Sequence, residues 1–233
     1  MIKVRLAGER GKTQTHWLDG SHTFSFNRYY DPRWTGFRDL LVINEDYIAP
    51  AKGFGTHSHS DMEIITYVIE GALEHRDSTG ASGVVRPGEV QKMSAGTGVS
   101  HSEVNASATE RTHLLQIWIK PERAGIKPYY EQRTFPDAEK RGRLRLVAAP
   151  GGGGDDSLTV QQDVKLYDAS LSAGEQVSYQ LGDKRHAWVQ VIKGAVVING
   201  TPLRAGDGAA ISEEFSLNLE AREAAEFMLF NLA

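Results

Sequence analysis

Residues 53–63 read GFGTHSHSDME, and residues 94–105 read SAGTGVSHSEVN. His57 and His59 stand two apart in the first stretch, and His101 and Glu103 do so in the second. On a β-strand, residues i and i+2 point to the same face, so each pair can converge on one point. Gly96 and Gly98 precede the second pair and permit a tight turn into its strand. Three imidazoles and a carboxylate can fill one side of a coordination sphere. That set suits Fe(II), Mn(II), Ni(II), Cu(II) or Zn(II), with positions left for water, substrate or dioxygen. Strict alternation also puts Glu63 on the histidine face, either as a ligand in place of Glu103 or as a group orienting a histidine. Glu103 is preferred because it shares a strand with His101. A lone HxH is a weak signal; an HxH after a glycine turn, followed further along by HxE, is a far more specific one.

The other histidines are weaker candidates. His75 adjoins the turn Asp77-Ser78-Thr79-Gly80 and is expected near solvent. His113 begins a strand, as a packed or surface residue. His16 and His22 fall in an aromatic-rich segment, 16–34, with Trp17, Phe24, Phe26, Tyr29, Tyr30 and Trp34. Packing at a module edge is that segment's ordinary role; walling a pocket for a flat ligand is the functional one, and His22 could line such a pocket. The chain has no GxSxG elbow, no P-loop and no GxGxxG opening a helix.

Short strand-like runs separated by Gly, Asp, Asn or Pro must position these residues. They include Glu63–Ile69, Ala72–His75, Val90–Met93, His113–Ile119, Asp163–Leu171, Trp188–Ile192 and Phe227–Leu232. Many short strands argue for an all-β sandwich or barrel. A helical turn or two is expected only near Pro136–Arg141. The chain also echoes itself. YVIEGA (67–72) returns as QVIKGA (190–195), and Pro87-Gly88-Glu89 returns as Ala205-Gly206-Asp207. Two tandem copies of one β module follow from this. The boundary is expected between Gln132 and Ser157, giving modules 1–135 and 136–233. The glycine run 151–154 reads equally as a flexible loop or as a hairpin tip. His186 is the only histidine of the second module, which should therefore be metal-free and structural.

Composition narrows the function classes. A net charge of -4, from 26 basic and 30 acidic residues, excludes a broadly basic nucleic-acid binder. With no cysteine there is no disulfide, thiolate metal site or cysteine nucleophile. The start MIKVRLAGERGK lacks the apolar region of a signal peptide. No apolar run approaches the ~18 residues of a membrane span. A cytoplasmic protein is expected.

Gly53…His57-Ser58-His59…Glu63…Gly71 resembles the first cupin motif, and Gly88…Gly98…His101…Asn105 resembles the second, with Gly96 where many cupins carry Pro. The HxE at His101 and Glu103 marks the pirin branch. WLDGSHTFSFNRYYDP (17–32), VINED (42–46), GFGTHSHSDMEIITYVIEG (53–71), MSAGTGVSHSE (93–103) and QIWIKPE (116–122) resemble bacterial pirin-like proteins. The resemblance covers most of 1–135. In the second half it is fainter, carried by YEQR (130–133) and WVQVIKG (188–194). It implies a bicupin of two β-barrel domains. The N-terminal barrel would bind one divalent metal, Fe(II) first among those named, through His57, His59, His101 and Glu103. Members of this branch resemble quercetin 2,3-dioxygenases, which open the flavonol central ring with dioxygen and release carbon monoxide. Glu103 would then act as general base, while Phe54, Met62 and part of the aromatic segment grip the flat rings. The partners implied are a flavonol-like aromatic and O2, with neither nucleic acid nor membrane. The alternative is a metal-binding regulatory protein acting through protein partners, its quercetin turnover incidental. A non-oxidative cupin such as an isomerase is a third reading.

Overall fold

The computed structural model describes residues 1–152 and 156–233. Part of the glycine run lies outside these. Among the described residues the regular structure is almost all strand. The one α-helix is the turn Asp137–Lys140, inside the expected stretch. Among the described residues no helix is long and apolar enough to cross a membrane.

The chain forms two compact units. The first comprises Gly11–Thr134 with Leu158–Gln162, and the second Met1–Arg10, Phe135–Ser157 and Asp163–Ala233. Two segments thus depart from a split at 135/136. Ile2–Arg5 pairs antiparallel with Gly208–Ile211, which places the N-terminal strand in the second unit. The amide of Gln161 donates to Glu63 Oε2 at 3.1 Å, and its carbonyl accepts from the Glu122 amide at 2.7 Å, so that segment belongs to the first.

Each unit has a larger and a smaller antiparallel sheet. In the first, the larger runs Tyr129–Thr134, Glu89–Ser94, Glu63–Glu70, Thr112–Ile119, Leu40–Ile48, Leu18–His22, Gly11–Gln14. The smaller runs Gly53–His59, Val99–Asn105, Leu73–Asp77, Ser82–Val85. In the second unit, Glu63–Glu70 has its counterpart in His186–Lys193, flanked likewise by Gly208–Ile211 and Ala225–Leu232. The smaller sheet there runs Gln176–Gln180, Ser216–Ala221, Ala195–Ile198, Thr201–Arg204. The sequence echo is therefore a repeat of topology. Gly71 and Gly194, which close the two echoed strands, both have positive φ, 81° and 70°. A Cβ on either would come within 3 Å of a neighbouring carbonyl oxygen, Arg111 or Ala224, so glycine is required twice for one reason.

Between the sheets of the first unit, Leu18, Ile48, Val68, Leu73, Val85 and Leu114 form a buried cluster. Beside it the register builds a polar row. His22 pairs with Asn44, Asn44 with Gln116, Gln116 with Thr66, and Thr66 with Gln91. Paired residues share a face, so one polar band crosses the interior of the larger sheet. The second unit is filled instead by residues such as Val189, Val191, Leu217, Leu219 and Phe227, with Val177 and Tyr179 packed against them. The strands matching the HxH and HxE strands are QVSYQ and SLNLEA, without histidine.

Candidate metal centre

His57 and His59 lie on Gly53–His59, and His101 and Glu103 on Val99–Asn105. The latter strand alternates buried and partly exposed residues, which sends Val99, His101, Glu103 and Asn105 inward. The two strands pair directly, with His101 opposite His57 and Val99 opposite His59. The register then slips, so that Glu103 faces Phe54. The extra residue on the histidine strand is a bulge at Gly55-Thr56, a device that re-aims side chains.

Donor atoms of His57, His59 and His101 lie within 4.8 Å of one another. A second such group is His75, His101 and Glu103, so His101 is common to both. His57 Nδ1–H donates to the Gly55 carbonyl at 2.8 Å, leaving Nε2 as the free lone pair. Behind His101, Nδ1 lies 3.3 Å from His75 Nδ1, and His75 Nε2 lies 3.1 Å from Asp77 Oδ2. The network assigns His75 the Nε2–H tautomer, donating to Asp77 and accepting from His101. Gln91 Nε2, from the polar row, also reaches His75 Nδ1 at 3.0 Å. His101 Nε2 then presents its lone pair 3.0 Å from His57 Nε2. Two facing lone pairs repel unless a cation binds between them, so these residues fit a divalent metal on their own geometry.

Burial, then the neighbouring imidazoles, push His101 down to about 3 and His59 to about 4. Both are neutral near pH 7, the state a metal requires. Glu103 is 2% exposed and pushed up by burial, with Gln116 and the nearby His75 and His57 pulling the other way. Gln116 Nε2 donates to its Oε2 at 2.7 Å, and Thr66 Oγ1 reaches Oε1 at 3.4 Å. The polar row of one sheet thus holds the carboxylate of the other. Burial also pushes Asp77 up, but hydrogen bonds from Thr79 and His75 hold it below the usual range.

A cavity of about 340 Å³ opens on this cluster, lined by His57, His59 and Glu103, with Phe54, Phe26 and Trp118 as aromatic walls. That is ample for a small molecule, whose sites span about 300–1,000 Å³. His59 meets Trp118 edge to face, and Trp17 meets Phe54 likewise, both near 5 Å.

The structure brings His57, His59, His101, Glu103 and Phe54 to one place. Met62 does not line the cavity; it packs with Ile64, Met93 and Val99 in the cluster that also takes Trp118, which does line it. Glu63 is elsewhere: fully buried, it pairs with Lys92 Nζ at 2.7 Å. Alternation from His59 to Glu63 fails because Asp61 breaks the chain with φ 48°, and Glu63 opens a strand of the opposite sheet. His75 is not near solvent but 0% exposed. Its strand pairs with the HxE strand, Glu103 opposite His75, and that pairing covers it. Of the aromatic segment, Phe26 and His22 line the cavity, Phe24 and Trp34 are buried, and Tyr30 is exposed. Sequence reading missed Thr66, Gln91 and Gln116. Thr66 and Gln116 carried a signal, each a lone polar residue within an apolar run of EIITYVIE or THLLQIWI, whereas Gln91 stands among other polar residues in EVQKMS and carried none.

Residues 3–119 match the family model described as Pirin, and residues 146–232 match that of the quercetinase C-terminal cupin domain. The chain is 50% identical over 232 residues to a quercetin 2,3-dioxygenase of Escherichia coli K12, covering 100% of this chain and 99% of that protein. It is 41% identical to a pirin-like protein of Caulobacter vibrioides, end to end in both. Its fold superposes on crystal structures of E. coli YhhW with a TM-score of 0.96, at 50% identity over 100% and 98% of the two chains. The nickel(II) complex of that bacterial pirin gives a TM-score of 0.95 over 100% and 99%. With half its length matched by the family model and relatives alike from end to end, the chain belongs to the pirin family.

Proposed function

We propose that the protein is a metal-dependent dioxygenase that cleaves a flavonol such as quercetin with O2 and releases carbon monoxide. The observation that carries this is the largely apolar, aromatic-walled cavity lined by His57, His59 and the buried Glu103, with His101 clustered behind them. A surface-reading regulator has no need of such a cavity, so the geometry favours turnover over the regulatory alternative. The relatives named quercetin 2,3-dioxygenase support the same reading.

His57, His59, His101 and Glu103 would hold one divalent cation. Fe(II) leads our expectation, and Ni(II), Mn(II), Cu(II) and Zn(II) suit the same donors. Bound there, the metal supplies Lewis acidity that lowers the pKa of an enolic hydroxyl. The protein does the rest. Glu103, raised by burial, accepts the substrate's hydroxyl proton at a carboxylate oxygen. Gln116 and Thr66 hold that carboxylate in place. Phe54, Phe26 and Trp118 sandwich the flat rings and keep water away. We place the enzyme in the cytoplasm, with flavonol and dioxygen as its partners.

The test is a set of variants on metal-loaded protein. His101→Ala should lose metal and turnover together. Glu103→Gln should lose about 10²-fold or more in turnover, the worth of a positioned general base. Full activity in either variant would remove the site from the reaction.

A further inference from the structure

The VINED stretch places Asp46 on the inner face of Leu40–Ile48, in the larger sheet, away from the strands that carry the metal-ligand candidates. Asp46 is 4% exposed and lines the cavity. Among the described residues its Oδ1, itself buried beside Gly20, has no hydrogen-bond partner. Among the described residues no lysine or arginine pairs with it. A buried polar atom left open in this way needs an explanation, and an absent ligand group is one.

The neighbours show that the position is built. Asp46 pairs with Gly20 on one side and Leu114 on the other. A Cβ on Gly20 would stand 2.6 Å from Asp46 Oδ1, so the glycine makes room for the carboxyl. Asp46 lies one pleat step from Asn44, about 7 Å along the strand. Asn44 Oδ1 lies 2.8 Å from His22 Nδ1, and His22 Nε2 lies 2.8 Å from Thr13 Oγ1. That chain partners Asn44 and His22 with each other and with Thr13, whereas the Asp46 carboxyl, on the same wall, keeps an unpartnered oxygen. Phe26, Phe54 and Trp118 line the same cavity between this wall and the histidines.

We propose that Asp46 is a specificity-determining residue: it hydrogen-bonds a phenolic hydroxyl of a flat aromatic ligand whose other end meets the metal centre. This rests on the flavonol reading above and names the part of the substrate that the second wall selects. Burial, with Glu103, Glu45 and Asp19 adding to it, pushes the Asp46 carboxyl up to about 7.

The test is anaerobic binding to Zn(II)-loaded protein of two flavonols, quercetin and 3-hydroxyflavone. Both carry the 3-hydroxy-4-keto head, and only quercetin carries further ring hydroxyls. Wild type should prefer quercetin by about tenfold to a hundredfold, the worth of a hydrogen bond to a charged or buried group. Asp46→Leu should abolish that preference while zinc content and 3-hydroxyflavone affinity stay near wild type. Gly20→Ala, which displaces the carboxyl without deleting it, should reduce the preference in the same way. A quercetin preference that survives in either folded variant overturns the assignment of Asp46 and leaves the flavonol reading intact. Failure of wild type to bind either flavonol overturns both.

Discussion

Gly53→Ala tests how the two ligand strands are held together. Gly53 is opposite Val104, beside the slip in register that sets Glu103. A Cβ there would lie 2.1 Å from the Glu103 carbonyl oxygen and 2.6 Å from Val104 Cα. Both are backbone atoms and cannot swing aside, so the strands must part by about an ångström before ordinary carbon contacts return. Overpacking of this kind costs about 1–3 kcal/mol. For a chain of this size that lowers Tm by about 3–10 °C. Metal ligands tolerate about 0.2 Å of displacement, so affinity should fall by about 10–100-fold. Gly55→Ala is the control. It lies on the same strand two residues on, and a Cβ there would meet nothing within 4 Å. Thermal melts of metal-free protein and zinc titrations against a competing chelator would measure both quantities. The steric argument is refuted if Gly53→Ala matches wild type in both, or if Gly55→Ala suffers equally.

Four further outcomes follow from the contacts and the buried charges. Asp77→Asn removes the carboxylate that fixes the His75 tautomer behind His101; zinc affinity should drop by about tenfold or more in the chelator competition. Lys92→Met strands the buried Glu63 and should cost about 3–5 kcal/mol by urea unfolding, with the double variant Glu63→Gln and Lys92→Met milder. Metal stoichiometry should not change in Glu63→Gln, since Glu63 lies on the other sheet. For Asp46 the folded carboxyl, about 7, lies above its ordinary 3.8. The folded state therefore holds a proton that the unfolded chain releases, and this contribution is lost as pH rises through 7. The stability advantage of Asp46→Asn over wild type should then grow from pH 4 to 8; urea midpoints of metal-free protein that stay parallel would contradict it.

What the sequence revealed is what strand periodicity encodes. HxH and HxE fall two apart on single strands, so their convergence was readable from local pattern alone. The two-module plan was readable because each echo ends on a glycine with the same backbone demand. Long-range pairing hid the rest. Ile2–Arg5 joins the second unit because its partner, Gly208–Ile211, lies near the other end of the chain. His75 sits between polar neighbours beside a turn, and only the pairing of Leu73–Asp77 with Val99–Asn105 buries it. Glu63 leaves the histidine face because the reversal at Asp61 ends the alternation on which its placement rested. The polar row shows only in register, since its members come from five strands that no local pattern aligns.

The most direct test of the central claim is the carbon monoxide released per quercetin consumed by protein stripped of metal, reloaded anaerobically with a single divalent cation and then exposed to air. The account predicts one carbon monoxide for each quercetin lost, with no loss in the metal-free protein or in His101→Ala. Quercetin loss without carbon monoxide, or equal loss without metal, would contradict it.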